Sequence, residues 1–263
     1  MKKILFLVLV VNGICEVNAQ KFELGIQAGA CNYWGDLAPK LVMKETHGTG
    51  GVFIRLNFNH SWAWKTEFNS YVVSGSDKNF SFNSERNLSF TSGIQEFATV
   101  FEFNYLKYGP HVLHKKFTSY VYLGIGGFMF NPQTVLNGKT YDLRDYQTEG
   151  VLYKKFSMAI PFGIGLKYMV SKKIALECQL GFRKTYTDYL DDVSGVYPNI
   201  QKRFSDGGMV SATLTDRSIE KYGVPINKDG YKRGNPGYKD WYMSATVSVV
   251  MRLHTRIKCA RFY

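Results

Sequence analysis

Between Ser157 and Thr187 the side chains alternate in character along two long arms joined by the polar turn Ser171–Lys173. Large apolar residues take every second position: Met158, Ile160, Phe162, Ile164, Leu166 and Tyr168 in the first arm, and Ile174, Leu176, Cys178, Leu180 and Phe182 in the second. A period of two over this length indicates two strands with unlike faces. Strands of about 11 residues, tilted near 40°, cross a hydrocarbon layer, whereas soluble strands usually have about 5–6 residues. We therefore predict two neighbouring strands of an outer-membrane β-barrel, with the apolar face towards lipid.

Six further stretches alternate in the same way, which brings the predicted number of strands to about eight. They are Lys21–Ala30, Gly51–Asn59, Trp62–Val73, Phe90–Tyr105, Phe117–Phe130 and Lys239–Leu253. The connections after the first, third, fifth and seventh strands are long, and the others are shorter, as in barrels with long external loops and short periplasmic turns. The sequence thus predicts an all-β fold, a transmembrane antiparallel β-barrel in the outer membrane of a Gram-negative bacterium, with both chain ends in the periplasm.

Charged residues also occur on the face that is predicted to point into the barrel. They are Arg55, Lys65, Glu67, Glu96, Glu102, Lys167, Glu177 and Arg183. One interpretation is an ion path or a catalytic dyad, and the other is a plug of salt bridges. We favour the plug, because an eight-stranded barrel is only wide enough inside for side chains and because unpaired buried charge is costly.

The N-terminus has the pattern of a secretory signal, with Lys2 and Lys3 before the apolar run Ile4–Val11 and a small-residue site at Val17–Ala19. The predicted division is a signal peptide over 1–19, an outer-membrane barrel over 20–253 and a periplasmic tail over 254–263. Cys15 follows a poor lipoprotein motif, so simple export is favoured over lipidation.

Removal of the signal leaves Cys31, Cys178 and Cys259, an odd number that requires at least one free or intermolecular thiol in an exported protein. Cys178 lies on the predicted lipid face, where a small apolar role is expected. Cys259 lies in the tail beside Lys258, and nearby positive charge favours thiolate. It is a candidate for a disulfide with a periplasmic partner, and an unpaired cysteine is an equal alternative.

The formal net charge of +12 suits an acidic partner, but the basic residues are scattered and no nucleic-acid motif is present. Lipopolysaccharide phosphates or an acidic protein surface are better candidates. No catalytic, cofactor or metal-ligand motif is found, and no small-molecule substrate is expected. Asp188, Asp191 and Asp192 cluster beyond the seventh strand. A calcium site is one interpretation, but we favour a solvated or hydrogen-bonded loop base because the spacing matches no calcium loop.

Three stretches together resemble the PorG-type outer-membrane protein of the type IX secretion system. The first is Glu23–Gly25 leading to Asn32–Leu37, the second is Arg183–Tyr197, and the third is Arg233–Asn235 followed by Asp240–Tyr242. The run Thr187–Ser194, which holds the three aspartates, is the most specific. The resemblance implies a small barrel that is neither an enzyme nor the translocation pore. It also implies association with the periplasmic ring of PorK and PorN and a role in cargo export in Bacteroidota-type bacteria.

The sequence is compatible with three functions of different classes. The first is a structural anchor whose outside contacts outer-membrane lipid and whose periplasmic side holds the ring. The second is a soluble, lipocalin-like barrel that binds a small ligand, with the apolar face turned inward. The third is an outer-membrane hydrolase that uses Asp188 and Asp192 at the external rim. We favour the anchor, with which the absence of motif-level chemistry agrees. The alternation by itself does not decide between the anchor and the lipocalin-like barrel, because it does not fix which face lies inside.

Overall fold

The computed structural model describes residues 22–108 and 116–253. The predicted signal peptide, the tail with Cys259, and Cys15 lie outside the described residues. Nine strands form one antiparallel sheet in this part of the chain: β1 Phe22–Trp34, β2 His47–Asn57, β3 Trp62–Ser76, β4 Ser89–Asn104, β5 Phe117–Leu136, β6 Lys139–Asp142, β7 Phe156–Met169, β8 Ile174–Thr185 and β9 Trp241–Arg252. Two helices follow β8, α1 over Ile200–Thr215 and α2 over Ile219–Tyr222.

Eight of these strands close into a barrel. Each pairs with the next, β4 pairs with β5, β5 with β7, and β9 pairs with β1. The ninth, β6, is short and pairs only with the end of β5. The predicted antiparallel barrel of about eight strands is confirmed.

Alternate side chains face outward and inward along every wall strand. The outward side chains of the middle of the barrel are apolar and exposed, among them Leu24, Ile26, Val52, Ile54, Phe97, Phe101, Leu123, Ile164, Leu180, Val247 and Val249. Exposed aromatic residues mark both rims, with Trp34 and Phe156 at the loop end and Trp62 and Tyr168 at the turn end. The alternative with the apolar face inside is therefore wrong. None of the described helices has the length and apolar character needed to cross a membrane.

The predicted strand Phe117–Phe130 ends too early, and the long connection after it begins later than expected. β5 continues through Pro132, which pairs with Ser92 of β4, and β6 then folds back on β5. The turn between them is Asn137–Gly138, with φ of +51° and +77°. Asparagine followed by glycine favours this tight hairpin turn, because both residues tolerate positive φ. The signal was present in the sequence.

The long connection after the seventh predicted strand, from Tyr186 to Tyr238, folds over the end of the barrel. We call the connections 35–46, 77–88, 137–155 and 186–240 the cap. Its buried residues Leu37, Leu190, Val193 and Leu214 pack in one cluster with aromatic side chains of the barrel interior: Tyr33, Tyr71, Phe90, Phe128, Phe130 and Tyr242. The hydrophobic core therefore lies where the cap meets the loop end of the barrel.

Candidate functional site

The structure places all eight of the predicted inward charges in the barrel interior, each no more than 2% exposed. Two more charged side chains join them, Glu23 near the start of β1 and Arg252 at the end of β9. We call these ten side chains the charge network. It begins at the turn end and reaches the middle of the barrel.

Arg55 is the centre of the network. Its guanidinium nitrogens lie 2.9 Å from Glu23 Oε2, 2.9 Å from Glu102 Oε2 and 2.5 Å from Glu177 Oε1. Glu102 also accepts a hydrogen bond of 2.5 Å from Lys167 Nζ. A fixed guanidinium fork suits several carboxylates at once, which a point-charge ammonium does not.

The network continues upward through Glu67 and Glu96. Lys65 Nζ is 2.9 Å from Glu67, and Arg183 lies 3.5 Å from both carboxylates. Tyr242 donates a 2.5 Å hydrogen bond to Glu96 and joins the network to the aromatic core above it. Five cations thus face five carboxylates, a balance that removes most of the cost of burying them.

Small residues on the inward face make room for the aromatic parts of this packing. A Cβ added to Gly165 would lie 2.4 Å from the ring of Tyr120. Tyr120 in turn donates to Gln179 Oε1 at 3.0 Å, and Lys167 Nζ lies 4.3 Å from the Tyr120 ring centroid. Side chains therefore fill the barrel among and around the charges.

A second cluster of titratable groups lies in the cap, where the three family-like stretches converge. Asp188, Asp191 and Asp192 are only 3%, 1% and 1% exposed, so their carboxylates are not solvated. Burial raises the pKa of Asp188 to about 6, and a hydrogen bond from Ser194 opposes that shift.

Tyr33 joins Asp191 to Asp240, the residue before β9. Its Oη lies 2.7 Å from Asp191 Oδ2 and 2.7 Å from Asp240 Oδ1. A phenol donates only one hydrogen, so the second short contact needs a proton on a carboxyl group. Burial raises the pKa of both aspartates well above the ordinary value, and a nearby carboxylate adds to each rise, Asp240 for Asp191 and Asp188 for Asp240. The two short contacts therefore place one carboxyl proton in this bridge in addition to the phenol hydrogen.

Asp192 is held differently, because a cation stands beside it. Tyr153 Oη donates to Asp192 Oδ1 at 2.6 Å, and Thr148 Oγ1 donates to Oδ2. Burial raises the pKa of Asp192 to about 6, and the Arg233 guanidinium 3.7 Å away opposes that shift. Arg233 also donates to Glu149 Oε1 at 3.0 Å.

Backbone groups of the cap depend on the same residues. Glu149 accepts from the amide groups of Ser194 and Gly195, both at 2.9 Å. Arg233 Nη1 donates to the carbonyl oxygen of Asp192 at 2.5 Å. Arg86 donates to the carbonyl oxygen of Arg233 at 2.5 Å and thereby ties a second loop to this one. The cap cluster thus holds separate loops of the cap together, and its carboxylates are buried.

The cysteines and histidines make no further site in the described chain. Cys31 is buried, and its Sγ donates to the carbonyl oxygen of Val72 at 2.9 Å, whereas Cys178 is exposed on the apolar face. Both are free thiols. Over residues 22–108 and 116–253, no group of three or more His, Cys, Asp or Glu side chains is arranged to hold a metal ion.

Sequence reasoning missed several members of both clusters. Glu23 and Arg252 follow the inward parity of their strands, so strand parity was the signal for them. Strand parity does not predict the roles of Tyr33, Glu149 and Asp240, because these roles depend on contacts between segments that are far apart in the sequence.

The chain matches the model of a protein family described as "Domain of unknown function (DUF6089)" over residues 2–212. No curated protein matches the sequence. Similar solved structures include three outer-membrane or surface proteins. OprG from Pseudomonas aeruginosa has a TM-score of 0.43 and 9% identity, over 90% of this chain and 99% of that one.

Ail of Yersinia pestis has a TM-score of 0.41 and 10% identity, over 90% of this chain and 100% of that one. Neisserial surface protein A has a TM-score of 0.41 and 8% identity, over 88% and 97% of the two chains. Similarities of this strength carry no inference about function, and the description of the barrel rests on its own strand pairing.

Proposed function

Since the chain belongs to the DUF6089 family, which is defined without a known function, we propose a function from the geometry and from the resemblance described above. The protein is a non-enzymatic β-barrel of a bacterial outer membrane. It serves the type IX secretion machinery by anchoring a periplasmic ring of the PorK and PorN kind, and cargo export requires it.

The observation that carries this proposal is the contrast between the two faces of the wall. Apolar side chains such as Ile26, Phe97 and Leu123 are about 60% exposed on the outside, while ten charged groups are paired inside. In water this arrangement would expose a large apolar surface, which is unfavourable, whereas in lipid the apolar surface is in contact with hydrocarbon and the arrangement is stable. A barrel filled by paired charges supports an anchor in preference to a channel.

The turn end is the face that we assign to the periplasm. β1 begins and β9 ends there, and the long cap lies at the opposite end, as short periplasmic turns and long external loops require. Among the described residues, the exposed charged side chains of the turn end are all lysines: Lys107, Lys116, Lys172 and Lys173. A partner that docks there presents an acidic surface. Cys259 remains a proposed contact in the tail.

Photo-crosslinking in native outer membranes tests this proposal. A crosslinking amino acid at Lys172, in the turn between β7 and β8, is expected to capture the ring proteins. The matched control places it at Lys202, an exposed lysine of the cap helix α1, which is expected to capture none. Capture from Lys202 alone would reverse the assigned orientation, and capture from neither, together with normal cargo export in a deletion strain, would refute the proposal.

A further inference from the structure

A cleft of about 500 Å³ opens at the loop end of the barrel, beside the seam where β1 meets β9. The function proposed above makes no use of it. Its lining includes Trp34, Asp36, Pro39, Tyr238, Lys239 and Trp241.

Aromatic faces form most of the wall of this cleft. Trp34 on β1 and Trp241 on β9 are direct register partners, and Tyr238 lies in the cap three residues before Trp241. Trp34 is 50% exposed and Tyr238 is 76% exposed, so flat apolar surface is open to a ligand. Tryptophan at a barrel rim ordinarily anchors the protein at the level of lipid headgroups. At the opposite rim, Trp62 packs on Phe103 with ring centroids 4.9 Å apart.

Two charged groups of opposite sign complete the lining. Asp36 is held in place because its Oδ2 accepts a 2.6 Å hydrogen bond from the amide of Asn235, which leaves Oδ1 for a ligand hydroxyl. The exposed ammonium of Lys239 contacts the carbonyl oxygen of Pro236 at 3.2 Å, which leaves two further hydrogens to donate. The surroundings of Asp36 carry both signs, with Lys232 and Arg86 on one side and the carboxylates of Glu149 and Asp188 on the other.

This set of groups matches one ligand chemistry. A sugar ring offers an apolar face for the aromatic side chains and hydroxyl groups for the carboxylate, and a phosphate on that ring pairs with the ammonium. We propose that the cleft binds a phosphorylated sugar. Its position at the loop-end rim fits the headgroup of an outer-leaflet glycolipid, and a free sugar phosphate has the same chemistry.

Calorimetric titration of the full-length protein in detergent micelles tests the proposal. The probes are diphosphoryl lipid A, its dephosphorylated form, N-acetylglucosamine 1-phosphate and N-acetylglucosamine. Lys239→Ala is expected to weaken binding of the phosphorylated probes by about tenfold, the loss typical of one charge-assisted contact. Trp34→Ala is expected to weaken binding of the same probes by about tenfold, because it removes an aromatic face that the sugar ring contacts. Lys239→Ala is also expected to abolish the preference for phosphorylated over unphosphorylated probes.

The controls lie at the opposite rim, where Trp62→Ala and Lys173→Ala are expected to change binding less than about twofold, as for groups outside the site. The shift of the folded band on unheated gels shows that each variant keeps its barrel. Binding of lipid A without binding of the soluble sugar phosphate identifies a glycolipid as the source, and binding of both shows that the sugar phosphate suffices. An equal loss in Trp34→Ala and Trp62→Ala, an unchanged phosphate preference in Lys239→Ala, or no binding by the wild type overturns the proposal.

Discussion

Replacing Arg55 by methionine tests whether the interior charges hold the barrel together. Arg55 is the only ion-pair partner of Glu177 among the described residues, at 2.5 Å. Its other two partners keep a cation without it, because Glu23 lies 2.7 Å from Arg252 and Glu102 lies 2.5 Å from Lys167. The substitution therefore leaves one buried carboxylate without a partner.

The magnitude follows from that single stranded charge. Removing one partner of a buried ion pair costs about 3–5 kcal/mol, because the remaining charge is desolvated and uncompensated. We expect Arg55→Met to lower the free energy of unfolding by this amount. The double variant Arg55→Met/Glu177→Gln restores the neutral balance, and we expect it to recover at least about 2 kcal/mol, which is a coupling typical of groups in direct contact.

Urea unfolding of the barrel in lipid vesicles, followed by tryptophan fluorescence, measures these free energies. Lys173→Met, which removes an exposed lysine of the turn between β7 and β8, is the control and is expected to change the free energy by less than about 0.5 kcal/mol. The reasoning is refuted if Arg55→Met costs less than about 1 kcal/mol. It is also refuted if the double variant is as unstable as the sum of the two single variants.

Three further outcomes are expected. The carboxyls bridged by Tyr33 have raised pKa values, so the native cap holds a proton that the unfolded chain releases above about pH 4. The stability of the cap should therefore fall as the pH rises from about 4 towards the raised pKa of the folded state. Asp240→Asn should flatten that fall, measured by hydrogen exchange of residues 187–195. Arg233→Lys should speed the same exchange by the loss of about 1–3 kcal/mol, because a single ammonium nitrogen cannot replace both Nη1, which binds Glu149 and the Asp192 carbonyl oxygen, and Nη2, which lies 3.7 Å from Asp192 Oδ2. Exchange unchanged from wild type would contradict this. A lipid-soluble maleimide should label Cys178 in the folded barrel and label Cys31 only after unfolding, as mass spectrometry of the labelled peptides would show.

The barrel was predictable because its signal is periodic and repeated. Alternation identified every wall strand, and parity placed Arg55 and Glu177 inside before any contact was known. Strand ends were less well predicted: β1 continues to Trp34 and β2 begins at His47, because ladder pairing with neighbouring strands extends beyond the apolar pattern. Periodicity reports which face a residue takes, and it does not report where pairing stops.

The cap was not predictable for a physical reason. Its order comes from contacts between loops that are far apart in the sequence, such as Tyr33 with Asp240 and Arg86 with Arg233. A polar, glycine-rich composition is compatible with a disordered loop and with a loop whose polar groups satisfy one another. The Asp188–Asp192 cluster was therefore visible as a motif, but its burial was not.

The position of the family-like stretches gives their buried residues a structural role. The β1–β9 pairing closes the barrel between strands at opposite ends of the described chain, so it bears the largest loop-closure cost of any pairing in the wall. Tyr33 and Tyr242 are partners on this seam, and the hydrogen bonds of Tyr33 to Asp191 and Asp240 fasten the cap to it. Residues that secure the closure of a barrel must be specific in type and buried. The run Thr187–Ser194 thus lies where the cap is fastened to this seam, and the cleft and the turn end are the surfaces that we propose for binding other molecules.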